Sequence, residues 1–206
     1  MSKLSDAKII GGIGAILMIL TAVPSFGPIL GLVGIIMLFI AVKKISEETK
    51  DKSIFNNFLY FFIITIIGIV VAGAILIITF LEAGGMSYIN ELQNLAYSDP
   101  MAVWNTVQPL FIGVIAAIVV LWILMIVSAI FLKKSYDKIG DLTNVKWFKT
   151  TGLLYLIGAA TLIILIGFVI ILIGMIFEIV AFFSIPENLP SQASPNQDMS
   201  IDQPTG

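Results

Sequence analysis

The sequence predicts an all-α, polytopic integral membrane helical bundle with five transmembrane segments, the first two forming a short tight hairpin. Three observations carry this reading: composition, five apolar runs and a one-sided distribution of lysine. Hydrophobic residues fill 59% of the 206 positions, charged residues only 12%, and mean hydropathy is +1.07. A soluble domain spends about 25% of its residues on charge. This chain lacks the charge to keep such a domain dissolved.

The apolar runs cover residues 9–23, 27–42, 54–81, 109–132 and 150–185. A helix needs about 20 apolar residues to cross a bilayer. The first two runs are short, reaching about 24 Å each against a hydrocarbon core of about 30 Å, so they are expected either to cross barely or to dip and return. Pro24-Ser25-Phe26-Gly27-Pro28 between them is a turn signal, because proline stops helices and glycine tolerates unusual backbone angles. Lys3 and Lys8 before the first run imitate a secretory signal, yet no small-x-small cleavage site follows, which favours a retained span. The third run has length to spare, which tilt absorbs. The run 150–185 is too long for one span and too short for two full spans with a turn; it is read as one tilted or extended helix.

Lysine placement orients these spans, because short cytoplasmic loops collect positive charge. All eleven basic residues are lysines, and they lie before residue 9, between 43 and 52, and between 133 and 149. Five spans then put the N-terminus in the cytoplasm and the tail outside, in a cell membrane. Residues 1–186 form a single transmembrane domain; 187–206, polar and punctuated by proline, are expected to be a disordered tail. In the outer loop, Ser87 is expected to cap a short helix through Tyr97. Asp99-Pro100 reads as N-cap and first residue of the next helix, with a kink at Pro109. Tyr88, Tyr97 and Trp104 suit a membrane–water interface. Lys43-Lys44 and Lys133-Lys134 each close a span and open a polar loop, as a duplication or the positive-inside rule alone would produce.

The chain contains no cysteine and no histidine, which removes disulfides, thiol nucleophiles, imidazole bases and the usual zinc and haem ligands. With no arginine there is no guanidinium fork for phosphate, and nucleic-acid binding is not expected. No catalytic, cofactor-binding or metal-ligating residue is assigned, and no cofactor is expected. Asp137 and Asp141, at i, i+4 spacing, are weighed as a metal pair, but Gly140 and nearby lysines favour an interhelical or solvent role. Gly11, Gly12 and Gly14 miss the phosphate-loop pattern and, like Gly27 and Gly31, read as helix packing.

The sharpest feature is Glu178, the one ionisable side chain in GFVIILIGMIFEIVAFFSIP, residues 167–186. Ala160, Gly167, Gly174 and Ala181 recur every seven residues, the period of a helix-packing seam, and Glu178 lies beside it. It is therefore expected to face neighbouring helices in the outer half of the membrane. Its available companions there would be Glu82, Asn105, Thr106, Gln108 and Thr79. Three roles follow: a cation or proton site in a pathway, a neutral acid hydrogen-bonded between helices, or a side chain snorkelling to the headgroups.

Several motifs carry a resemblance to a known family. Ala7-Lys8 followed by Gly11-Gly12-Ile13-Gly14, Lys52-Ser53-Ile54-Phe55-Asn56-Asn57, Ser135-Tyr136-Asp137, the stretch Phe148-Lys149-Thr150-Thr151-Gly152-Leu153-Leu154-Tyr155 and the ending Ala181-Phe182-Phe183-Ser184-Ile185-Pro186 resemble the archaeal domain-of-unknown-function family 996. That resemblance covers most of residues 7–186 and implies an uncharacterised archaeal multi-pass membrane protein with no assigned activity. The residues favour a non-enzymatic protein with a structural or assembly role, its partners being the lipid bilayer and a second copy or another membrane protein. The alternative is a small transporter or channel using Glu178.

Overall fold

A computed structural model describes residues 3–94 and 99–190, and all regular structure among them is helical. The seven α-helices are α1 (Lys3–Ile19), α2 (Gly27–Glu48), α3 (Lys52–Glu82), α4 (Met86–Asn94), α5 (Pro100–Thr143), α6 (Lys146–Thr161) and α7 (Ile166–Phe183). All but α4 belong to segments long and apolar enough to cross a membrane.

Local chemistry sets the boundaries. Pro28 sits in the first turn of α2, where its missing N–H costs nothing. Asp51 caps α3 by accepting from the Ser53 amide at 2.8 Å, and Asp99 caps α5 through the amides of Met101 and Ala102 at 2.7 and 3.1 Å. Both carboxylates satisfy amides that have no partner within the helix. Asn144 ends α5 in the left-handed region, with φ 58°. The helix runs on through Pro109. Ser87 falls inside α4, its hydroxyl donating to the Gly84 carbonyl at 2.6 Å. Tyr97 and the tail from residue 191 lie outside the described residues.

The helices form three antiparallel hairpins. Central is the long pair α3 and α5, joined by hydroxyl contacts: Ser135 donates to the Ile54 carbonyl at 2.8 Å, and Thr65 and Ser128 lie 2.7 Å apart. Flanking it are two shorter hairpins, each with glycines at its crossing. A Cβ on Gly14 would meet the Gly34 carbonyl at 3.0 Å, and one on Gly34 the Gly14 carbonyl at 2.9 Å. Gly158 and Gly167 stand in the same reciprocal relation between α6 and α7. Close backbone approach of this kind is how helices pack where no water-driven force presses them together.

The α6–α7 hairpin corrects two expectations. The run 150–185 is not one helix: it breaks at a 3-10 turn, Leu162–Ile164, followed by Leu165 in the left-handed region, φ 64°. Reversal there sends α7 back toward the lysines, where Phe182 and Phe183 cover Gly11 and Gly12 of α1. Both ends of the described chain therefore lie at the same end of the bundle, not at opposite ends.

That lysine-bearing end also holds the core. Leu4, Ala41, Val42, Ile45, Ile54, Phe58, Tyr136, Ile139, Phe148 and Phe182 are all buried there. A chain of rings ties α2, α3, α5, α6 and α7 together: Phe39 meets Phe58 at 5.0 Å, Tyr136 meets Phe148 at 5.5 Å, and Phe148 meets Phe182 at 5.1 Å, all edge-to-face. Such pairs add about 0.5–1.5 kcal/mol each beyond the area they bury. Outside the core, Lys3 pairs with Glu47 at 3.3 Å, Lys44 with Asp6 at 2.9 Å and Lys138 with Asp51 at 2.9 Å.

Candidate functional site

Glu178 is 3% exposed. It shares the buried face of α7 with Gly167, Gly174 and Ala181, because positions 167, 174, 178 and 181 fall within one helical stripe. Opposite Gly174, a Cβ would meet that of Leu154 at 3.4 Å, so α6 lies close along this face. Ala160, on α6, is exposed and stands off the contact; Gly158 takes its place at the crossing.

Two tyrosines reach the carboxylate. The Tyr155 hydroxyl donates to Oε2 at 2.7 Å, and the Tyr136 hydroxyl donates to Oε1. One comes from α6 and the other from α5, so the acid ties three helices together. Tyr136 is itself fully buried and pinned by the rings of Phe58 and Phe148.

The acid also borders a cavity of about 250 Å³ at the junction of α1, α2, α3, α5, α6 and α7. Met18, Leu38, Phe58, Met125 and Met175 provide apolar walls; Glu178, Tyr136, Tyr155, Thr65 and Ser128 are its polar groups. Glu178 is the sole carboxylate among the lining residues, and no lysine is among them.

The structure does not gather the other sequence candidates here. Gln108 and Asn105 lie at the far end of α5, about 42 Å or more from Tyr136 at 1.5 Å rise per residue. Glu82 ends α3 about 36 Å beyond Phe58 on the same measure, and it is exposed, as is Asn105. Thr106 contributes its carbonyl to the buried Tyr88 hydroxyl at 2.9 Å, and Thr79 faces Gly113. Tyr88 thus anchors α4 onto α5 instead of facing the interface, while Trp104 is half exposed. Glu178 sits toward the lysine-bearing end, the opposite half from the one expected, because α7 runs the other way. Asp137 and Asp141 are held by Lys133 and Lys149 respectively.

Tyr136 and Tyr155 are the residues of this candidate site that sequence reasoning did not connect to Glu178. They stand 42 and 23 positions away from it, beyond the reach of any helical period.

The sequence is similar to known chains. The family described as "Protein of unknown function (DUF996)" matches residues 30–176. An uncharacterised protein of Methanocaldococcus jannaschii, MJ1644, is 34% identical over 190 residues, spanning 92% of this chain and 97% of that one. No solved structure matches the chain. With matches of that extent, the chain belongs to the DUF996 family.

Proposed function

We propose that this is a non-enzymatic multi-pass membrane protein with an assembly role, and that copies of the chain associate within the bilayer. Lysines face the cytoplasm in this reading, with both described chain ends on that side and α4 outside, as the positive-inside rule requires. In this reading α3 and α5 cross completely and the α6–α7 hairpin does not. The α6–α7 turn packs at the level of Ile118, Leu121 and Trp122, about 22 Å from Lys133 along α5 and short of the roughly 30 Å hydrocarbon core.

The observation that carries the assembly reading is that turn. Leu162, Ile163, Ile164, Leu165 and Ile166 form it with no polar side chain, and Leu165 is 79% exposed. Helix ends leave backbone amides and carbonyls without intrahelical partners, and irregular backbone at hydrocarbon depth persists only where protein or water covers it. A neighbouring copy supplies that cover. On α3, Gly73 offers a second approach point, since beyond the backbone of its own helical turns no described atom lies within 4 Å of where its Cβ would be, and close helix contact favours such positions.

The test is the mass of the chain in lipid nanodiscs, combined with a photoreactive benzoylphenylalanine in place of Leu165 in the native membrane. Self-crosslinked dimers or larger species are expected. A monomeric mass with crosslinks to lipid alone overturns the reading.

A second reading, a small transporter or channel, is favoured by the cavity beside Glu178. It requires that Glu178→Gln abolish a measurable flux in proteoliposomes. Under the assembly reading the same variant keeps its partners.

A further inference from the structure

A carboxylate offers about four lone-pair positions, and the two tyrosine hydroxyls occupy one on each Glu178 oxygen. Glu178 borders a cavity whose other walls are aliphatic, aromatic and thioether groups with the hydroxyls of Thr65 and Ser128. Among the lining residues no cation answers the acid. An occupant that brings its own positive charge would supply one.

Aromatic side chains strengthen this complement. Phe58, Phe61, Tyr136 and Tyr155 all border the same space, and aromatic rings attract ammonium groups as well as apolar bodies. Met18, Met125 and Met175 are adaptable wall material for an apolar ligand. Few polar groups in a mainly apolar hollow is the usual make-up of a small-molecule site.

Size narrows the class. An apolar cavity of about 150 Å³ accommodates benzene, so about 250 Å³ admits one ring with a short chain or an equivalent aliphatic body. Thr65 and Ser128 offer the charged head only neutral hydroxyl oxygens, which already engage each other and the Phe61 carbonyl at 2.7, 2.8 and 3.2 Å, whereas hydrogen bonds between charged groups are roughly twice as strong as neutral ones.

We propose that this cavity binds a small lipophilic primary amine, its ammonium on Glu178 between Tyr136 and Tyr155 and its apolar body among Met18, Phe58 and Met175. This binding does not require self-association, since one chain supplies the carboxylate, the tyrosines and the apolar lining named here.

The probe is 2-phenylethylamine, titrated into the full chain in lipid nanodiscs by calorimetry, beside propylbenzene and 3-phenylpropionate. Saturable binding of one amine per chain is expected. Glu178→Gln weakens it roughly ten- to a hundredfold, the worth of a charged hydrogen bond. Ala129→Leu narrows the cavity while leaving the carboxylate and both tyrosines in the chain and weakens binding comparably, so the proposal stays testable if the acid variant does not fold. Propylbenzene and 3-phenylpropionate bind at least about tenfold more weakly. Absence of saturable amine binding overturns the proposal, as does amine binding unchanged in Ala129→Leu. Equal affinity for propylbenzene also overturns it, reducing the cavity to an apolar hollow.

Discussion

Glu178 accepts one hydroxyl from each of two other helices, so its substitutions should rank by what they leave unpaired. Tyr155→Phe removes one donor and is expected to cost about 1 kcal/mol, the usual worth of an interhelical hydrogen bond in a bilayer. Glu178→Gln keeps an acceptor and is expected to cost about as much. Glu178→Ala leaves the buried Tyr136 hydroxyl and the partly buried Tyr155 hydroxyl without their acceptor and enlarges the cavity, costing about 2–4 kcal/mol. Unfolding by SDS in mixed micelles measures the series; equal effects of all three would show that the contact is not structural. Of this site, the sequence revealed the acid and its helix face, because a lone charge and a small-residue period are both local. Its tyrosine donors were hidden, because helix packing alone brings them near. Asp51 offers a pH test. The Ser53 hydroxyl and then the Lys138 ammonium hold its carboxyl below the ordinary aspartate value of 3.8. A depressed folded value stabilises above the unfolded one and loses that contribution as pH falls through it. Stability should therefore decline with acid below about 4, where aspartate ordinarily titrates, and Asp51→Asn should flatten that decline.

At the scale of elements, the two short hairpins depend on backbone contact at their glycines. A methyl on Gly167 would strike the Gly158 carbonyl and the Leu162 backbone, atoms that cannot rotate away. Gly167→Ala is expected to destabilise by about 1–3 kcal/mol, as overpacking does. Gly73→Ala meets open space and should raise helix stability by about 0.5–1 kcal/mol in the isolated chain. Thermal denaturation of both in the same detergent checks the contrast; a tolerated Gly167→Ala would speak against this crossing. The helices themselves were readable, since Asp99-Pro100 and the Pro24–Pro28 turn are signals set by side chains in their own turn. The Leu162–Leu165 reversal was not. Turn residues are recognised by polarity and by glycine or proline, and this turn is built from Leu and Ile with a leucine in the left-handed region.

Across the whole molecule, that one reversal returns the chain up to residue 190 to the lysine-bearing end of the bundle. Because the natural chain has no cysteine, single cysteines report sidedness without background. Cysteines at Lys50 and Asn188 should react with a membrane-impermeant maleimide from the same face of sealed vesicles, and one at Ser87 from the other. Asn188 labelling together with Ser87 would restore the single-helix reading of residues 150–185.

Composition, apolar run length and lysine spacing were enough to settle a helical chain with membrane-length apolar segments and one cationic end. Those properties are sums over neighbouring residues, so they survive without knowledge of contacts. Whether the last run crosses or returns, and which groups meet Glu178, was settled by packing. Gly158 against Gly167 folds α7 back, and that fold brings the acid to Tyr136 and Tyr155 instead of to Asn105 and Gln108. A turn surrounded by apolar groups needs no polar residues to form it, so it leaves no mark in the hydropathy that the sequence displays.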